Sequence, residues 1–232
     1  MKIKKGMILA AGLGTRMQEI TKNLPKPLIK IGKYNLLERS IGLLENHGVN
    51  NLVINTHYLK EDIKKFIKDK NYNIQILISE EEELLDTGGG ILKATQSFDD
   101  DPFIAINPDT IWSVNYENEL KSLEQFYFKC KNPSILVVDK LQSFDTSFKG
   151  DFSISNNNLI ERREFNQFIF TGLQILNKSA FNNTKNKIFS MNQVWDELIT
   201  SKKLYGIKSE QKFIHLNTKD TYEKIKELKI ID

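Results

Sequence analysis

Only one cysteine, Cys130, occurs in the 232 residues, so no internal disulfide framework can form. It sits in the aromatic stretch Phe126-Tyr127-Phe128-Lys129-Cys130 and reads as a packing residue. Long hydrophobic runs are missing too. No stretch approaches the roughly 20 apolar residues of a membrane helix. The first apolar run, residues 7–11, is shorter than a signal-peptide core and leads straight into glycine. Charge of one sign is scarce: 33 basic against 30 acidic residues leave +3. That excess suits anionic small molecules and is too scattered to argue for nucleic acid. There is no repeat, low-complexity tract or Pro- or Gly-rich linker, and no convincing Ser-His-Asp or Cys-His set. The expectation is a soluble, cytoplasmic protein with one domain over residues 1–232.

What is present is alternation. Short apolar runs at residues 7–10, 51–55, 74–79, 103–107 and 134–139 read as strands buried on both faces. Helical patterns lie between them. Asn35, with Glu38 three residues on, has the form of a capping box; Leu37, Ile41 and Leu44 follow on one face, and Gly48 stops the helix. Further helices are expected over residues 59–68, 90–98 and 117–131. This order predicts an α/β fold: a Rossmann-like, mixed, mostly parallel sheet with helices on both faces. After about residue 139 the pattern loosens. Strands are expected at 149–155, 159–163 and 168–176 and near Tyr205 and Phe213, with helices at 192–201 and 219–229.

The stretch LAAGLGTRM, residues 9–17, carries the first chemical signal. A strand that delivers glycines at its carboxyl end lets backbone N–H groups approach a phosphate. The dinucleotide pattern fails, because its last glycine would fall at Met17, and the Gly-Lys-Ser/Thr of a P-loop is absent. Arg16 closes the loop instead. A permanently charged fork of donors suits a polyphosphate on which charge builds as it breaks. A tight turn followed by a surface arginine is the competing reading.

Three further stretches add to it. Pro25 and Pro27 flank Lys26 and predict an extended segment that holds the lysine as a fixed point charge. Gly88-Gly89-Gly90 is expected to precede a helix and to permit close approach of a flat ligand. Asp109 follows a buried strand in Asn107-Pro108-Asp109. It offers a hard oxygen donor beside phosphate, as a Mg²⁺ ligand does, or else it serves the turn. His47 and His57 read as structural.

Together LAAGLGTRM, PKPL (25–28), TGGGI (87–91) and NPD (107–109), in this order, resemble the sugar-1-phosphate nucleotidyltransferase family. The resemblance continues through KGDF (149–152), TGLQIL (171–176) and FSMNQVWDELI (189–199). It implies the nucleotide-diphospho-sugar transferase type of fold, with a nucleotide-binding half over about 1–139 and a sugar-phosphate-binding half over about 140–232. It also implies a reaction in which a sugar 1-phosphate attacks a nucleoside triphosphate and releases pyrophosphate. By resemblance Arg16, Lys26 and Asp109 are the candidate catalytic residues. Leu9, Ala10, Ala11, Gly12, Gly14, Thr15, Gly88 and Asn107 would join Arg16 and Lys26 around the nucleotide. Gly150, Glu161, Asn192 and Trp195, with Asp196, would line the sugar pocket, and Asp109 would hold Mg²⁺.

DTGGGI and KGDF look most like the N-acetylmuramate α-1-phosphate uridylyltransferases of peptidoglycan recycling. That likeness implies UTP and an acidic sugar whose carboxylate Arg162 and Arg163 would suit. Two departures stand out. Pro108 replaces the family's usual glycine before the metal aspartate. His215 takes the place of its second metal-binding aspartate, either as a ligand that would suit Mn²⁺ better than Mg²⁺, as a phosphate contact, or as a packing residue. The alternatives are a cytidylyltransferase for phosphocholine or an aminophosphonate, whose pocket should be acidic or aromatic, and a nucleotide-sensing relative without turnover.

Overall fold

The computed structural model describes residues 1–228. Seven strands form the main sheet: β1 (Lys5–Leu9), β2 (Asn51–Thr56), β3 (Gln75–Glu80), β4 (Phe103–Ile106), β5 (Ser134–Asp139), β6 (Phe168–Leu176) and β7 (Tyr205–Ser209). Their order is β7-β5-β6-β4-β1-β2-β3. All neighbours are parallel except β6, which runs antiparallel to both β4 and β5. The chain order reverses at β1, which pairs with β2 on one side (Met7 with Val53) and with β4 on the other (Met7 with Ala105). Such a switch point opens a crevice at the carboxyl ends of the strands.

Residues of alternating parity on the strands face opposite cores. Ile8, Ile54, Ile104 and Ile106 pack under α1 (Leu36–His47), α2 (Lys60–Lys68) and α4 (Tyr116–Cys130). Met7, Val53, Phe103 and Ala105 pack under α3 (Asp86–Ala94) and α5 (Met191–Thr200). A smaller cluster of Met17, Ile29, Ile31, Leu36, Ile111 and Leu216 joins Ile225 of α6 (Lys219–Glu227). It clamps the segment that follows the glycine loop.

The capping box of α1 is present on both sides, Glu38 N–H to Asn35 at 2.7 Å and Asn35 N–H to Glu38 at 2.9 Å, and Gly48 closes the helix. Other expectations shift. α3 begins at Asp86 rather than at residue 90, so the three glycines lie inside the helix and are buried. An added Cβ at Gly88 would fall on the Phe189 ring, and one at Gly89 on the Lys187 carbonyl oxygen. The strands expected at 149–155 and 159–163 shrink to the two-residue pair Ser153–Ile154 and Ile160–Glu161. Phe213 and His215 make isolated bridges to Ser143 and Thr110 instead of a strand. The last residue of the helix expected at 219–229 lies outside the described residues.

Candidate active site

At the carboxyl end of β1 the chain turns away from the sheet. Ala10 donates its N–H to the Asn55 side chain at 2.7 Å. Gly14 adopts φ 67°, a left-handed conformation that opens a 3₁₀ turn over Thr15–Thr21. Its carbonyl accepts from Met17 N–H at 2.8 Å and from the Thr21 hydroxyl at 2.9 Å, while Met17 is fully buried beneath. The loop backbone is thereby fixed, and Thr15 and Arg16 are left exposed above it. No described side chain pairs with Arg16, so its donors are free for a ligand.

Lys26 sits in a second 3₁₀ turn, Lys26–Leu28, with Leu28 N–H bonded to the Pro25 carbonyl at 2.8 Å. This corrects the extended reading. Pro25 is extended, but Pro27 is accommodated inside a turn, and the turn aims the lysine inward. Its Nζ lies 2.6 Å from Asp109 Oδ2, with the two side chains only 13% and 21% exposed. Asp109 follows β4, where Asn107 N–H bonds the Gly172 carbonyl at 2.8 Å. The segment around His215 runs beside it: Ile111 N–H bonds the Ile214 carbonyl at 2.9 Å, and Leu216 N–H the Asp109 carbonyl at 2.7 Å. That pairing brings His215 Nδ1 to 3.7 Å from Asp109 Oδ1.

Burial opposes ionisation of Asp109, but the charges and the hydrogen bond around it win and hold its pKa down to about 2. Burial pushes His215 below the ordinary imidazole range, and Lys26 and Arg16 add to this against the pull of Asp109. A neutral His215 contributes little charge at pH 7. Lys26 is therefore the partner that keeps Asp109 ionised there. Asp109 Oδ1 and His215 Nδ1 are both buried without a hydrogen-bond partner. Two unpaired ligand atoms facing one another, one hard oxygen and one imidazole nitrogen, would fit a divalent cation that takes its remaining ligands from phosphate and water.

Leu9, Ala10, Ala11, Gly12, Gly14, Thr15, Arg16, Lys26, Asn107, Asp109 and His215 all line one cleft of about 650 Å³. Sequence reasoning missed the far end of it, made by Asn55, Glu81, Leu84, Asp86, Thr87 and Ile188. Glu81 is buried there, accepting from Asn55 Nδ2 at 2.7 Å and from Leu85 N–H at 3.1 Å. Its place in a run of four glutamates, Glu80 to Glu83, gave no hint of burial. Gly88 is not among the lining residues; it packs against Phe189 and donates its N–H to the Phe189 carbonyl at 2.9 Å.

A second cavity of about 170 Å³ adjoins the first at His215, which lines both. Asn192 and Trp195 line it, with Phe148, Asp151, Ile169, Phe170 and Phe213. Gly150 and Glu161 line neither cavity: Gly150 packs on the Asn166 backbone at φ 87°, and Glu161 is paired with Arg163 at 2.6 Å. Asp196 holds Arg162 Nε at 2.7 Å, and Asn192 holds its Nη2 at 2.6 Å. The two arginines expected to await a carboxylate are therefore each neutralised within the chain.

An open α/β sheet with a glycine loop and arginine at β1, and a lysine–aspartate pair across the switch point, defines a nucleotide-binding enzyme of the phosphoryl-transfer kind. The chain belongs to the nucleotidyl transferase family, which it matches over residues 5–142. It is 28% identical over 226 residues to a D-glycero-alpha-D-manno-heptose 1-phosphate guanylyltransferase of Aneurinibacillus thermoaerophilus, covering 95% of this chain and 96% of that one. It is 24% identical over 221 residues to an N-acetylmuramate alpha-1-phosphate uridylyltransferase of Caulobacter vibrioides, covering 92% and 91%. The crystal structure of HddC from Yersinia pseudotuberculosis complexed with GMP-PN superposes with a TM-score of 0.73 at 26% identity, covering 97% and 99%.

Proposed function

We propose that the protein joins a nucleoside triphosphate to a sugar 1-phosphate, giving a nucleotide sugar and pyrophosphate. The observation that carries this is the convergence of Arg16, Lys26, Asp109 and His215 on one cleft. The acceptor phosphate is already an anion at neutral pH, so the reaction needs alignment and charge neutralisation rather than a general base. One acceptor oxygen forms a bond to the α-phosphorus while the bond to the β-phosphate oxygen breaks, and pyrophosphate carries the released charge.

In this reading the loop from Gly12 to Arg16 holds the β- and γ-phosphates. Lys26 neutralises the α-phosphate and the incoming phosphate. Asp109 and His215 would hold Mg²⁺ or Mn²⁺, which supplies further neutralisation of the phosphate oxygens. Leu9, Ala10 and the Glu81–Thr87 end of the cleft take the nucleoside, and the cavity beyond His215 takes the sugar.

The narrower reading, UTP with N-acetylmuramic acid α-1-phosphate in peptidoglycan recycling, draws on DTGGGI, KGDF and the Caulobacter relative. It loses the support of Arg162 and Arg163, which are already paired. The base is open between guanine and uracil, as the relatives include a guanylyl- and a uridylyltransferase. The test is pyrophosphate release from each of four nucleoside triphosphates against several phosphorylated acceptors, with Mg²⁺ or Mn²⁺. Turnover with a sugar 1-phosphate supports the reading. Tight triphosphate binding with no turnover on any acceptor would make the protein a nucleotide sensor instead.

A further inference from the structure

The cavity beyond His215 has a charge that the proposed reaction does not by itself require. Its walls are the rings of Phe148, Phe170, Trp195 and Phe213 with Ile169. Phe170 and Trp195 lie 4.8 Å apart, edge to face, and Phe148 and Phe213 lie 6.1 Å apart. Into this lining comes one formal charge, Asp151. One of its oxygens accepts from Phe170 N–H at 2.9 Å, which fixes the carboxylate at the wall. Asp151 forms no ion pair among the described residues.

Three basic groups of this face are committed, while Lys149, two residues from Asp151, is exposed and makes no ion pair among the described residues. Arg162 is bound to Asp196 and Asn192 and lies 4.8 Å from the centre of the Phe152 ring. Arg163 is bound to Glu161, and Lys208 lies over Phe168. An aromatic wall with an exposed, unpaired carboxylate at its rim attracts an ammonium through both the ring quadrupoles and the charge, and repels an acid. The cavity also sits on the far side of His215 from the phosphate-binding cleft, where the body of a phosphorylated acceptor would lie.

We infer that Asp151 and the surrounding rings select an acceptor that carries an ammonium group, and that they select against a carboxylated one. This rests on the reading of the protein as a nucleotidyltransferase and narrows its acceptor. The ammonium can come from an amino sugar 1-phosphate or from a small amino-alcohol phosphate such as phosphocholine.

The experiment measures pyrophosphate release with four acceptors: glucosamine 1-phosphate, its neutral N-acetyl form, a carboxylated sugar 1-phosphate and phosphocholine. Wild type, Asp151→Asn and Asp151→Arg are compared. The asparagine can still accept from Phe170 N–H, so the wall should keep its shape; thermal melting checks this. Wild-type kcat/KM should favour glucosamine 1-phosphate or phosphocholine over the neutral form by about tenfold, the scale of one charged hydrogen bond. Which of the two turns over identifies the source of the ammonium. Asp151→Asn should bring the ratio near one, and Asp151→Arg should move preference toward the carboxylated sugar. A wild type that prefers the neutral or carboxylated sugar, or a ratio that survives both substitutions, overturns the inference but leaves the nucleotidyltransferase reading intact. No turnover on any of the four overturns the inference, and the broader panel of triphosphates and acceptors then decides the nucleotidyltransferase reading.

Discussion

Asp109 is held from two sides, by Lys26 at 2.6 Å and by His215 at 3.7 Å, and each contact predicts something different. Lys26→Ala and Arg16→Ala each remove a cation from the cleft. Each should lower kcat for pyrophosphate release by about 10²–10³-fold, the usual cost of losing one donor to developing charge. The two should differ in stability. Lys26→Ala strands a part-buried carboxylate and should lower the melting temperature, whereas Arg16 is exposed and its loss should not. His215→Asp tests the other side. Replacing the imidazole with a second hard oxygen should shift preference from Mn²⁺ toward Mg²⁺, in both metal titration by calorimetry and rate. A preference that is unchanged would mean that His215 is not a ligand. At this scale the sequence was most legible in placement: Arg16, Lys26 and Asp109, far apart in the chain, line one cleft. Glu81 was not legible, because an acidic residue in a polar run looks solvated until the fold buries it.

α1 and α3 show what could and could not be read at the level of the element. The Asn35–Glu38 box, the apolar spacing and Gly48 are local signals, and α1 follows them. The glycines of α3 obey a tertiary demand. Backbone of the segment at Lys187–Phe189 passes so close that only glycine fits, although glycine is a poor helix former. Propensity therefore placed the start of α3 four residues late. Gly89→Ala should cost about 1–3 kcal/mol, read by denaturant unfolding, because its Cβ meets a backbone oxygen that cannot yield. Gly42→Ala, also helical but with nothing within 4 Å of the added Cβ, should stabilise by about 0.5–1 kcal/mol. If both behaved alike, helix propensity rather than close approach would account for the glycines.

For the whole molecule, the question is whether residues 1–139 and 140–232 are separable halves, as the change in pattern near residue 139 suggests. The topology argues for one folding unit. β6, from the second half, lies between β4 and β5 of the first and is hydrogen-bonded to both. Without it β5 has no partner within the first half. The cleft is shared too, since Ile188, His215 and Asn217 close a site that β1 and β4 begin. That sharing explains why the first half was easier to read: parallel strands with helical crossovers repeat one pattern, whereas β6 inserts against β4, more than 60 residues back, and the His215 segment against residues 109–111, about 100 back. The full chain should therefore unfold in a single transition. A nucleoside triphosphate at about 100 times its Kd should stabilise it by about 2.7 kcal/mol, raising the midpoint by about 5–10 °C. A fragment of residues 1–139 exposes both the β4 and β5 edges and should show no cooperative melt and no nucleotide-dependent shift. Adding residues 140–232 should restore both. If the first fragment melted cooperatively and bound triphosphate alone, the two halves would be domains in their own right, and the second would only supply the acceptor.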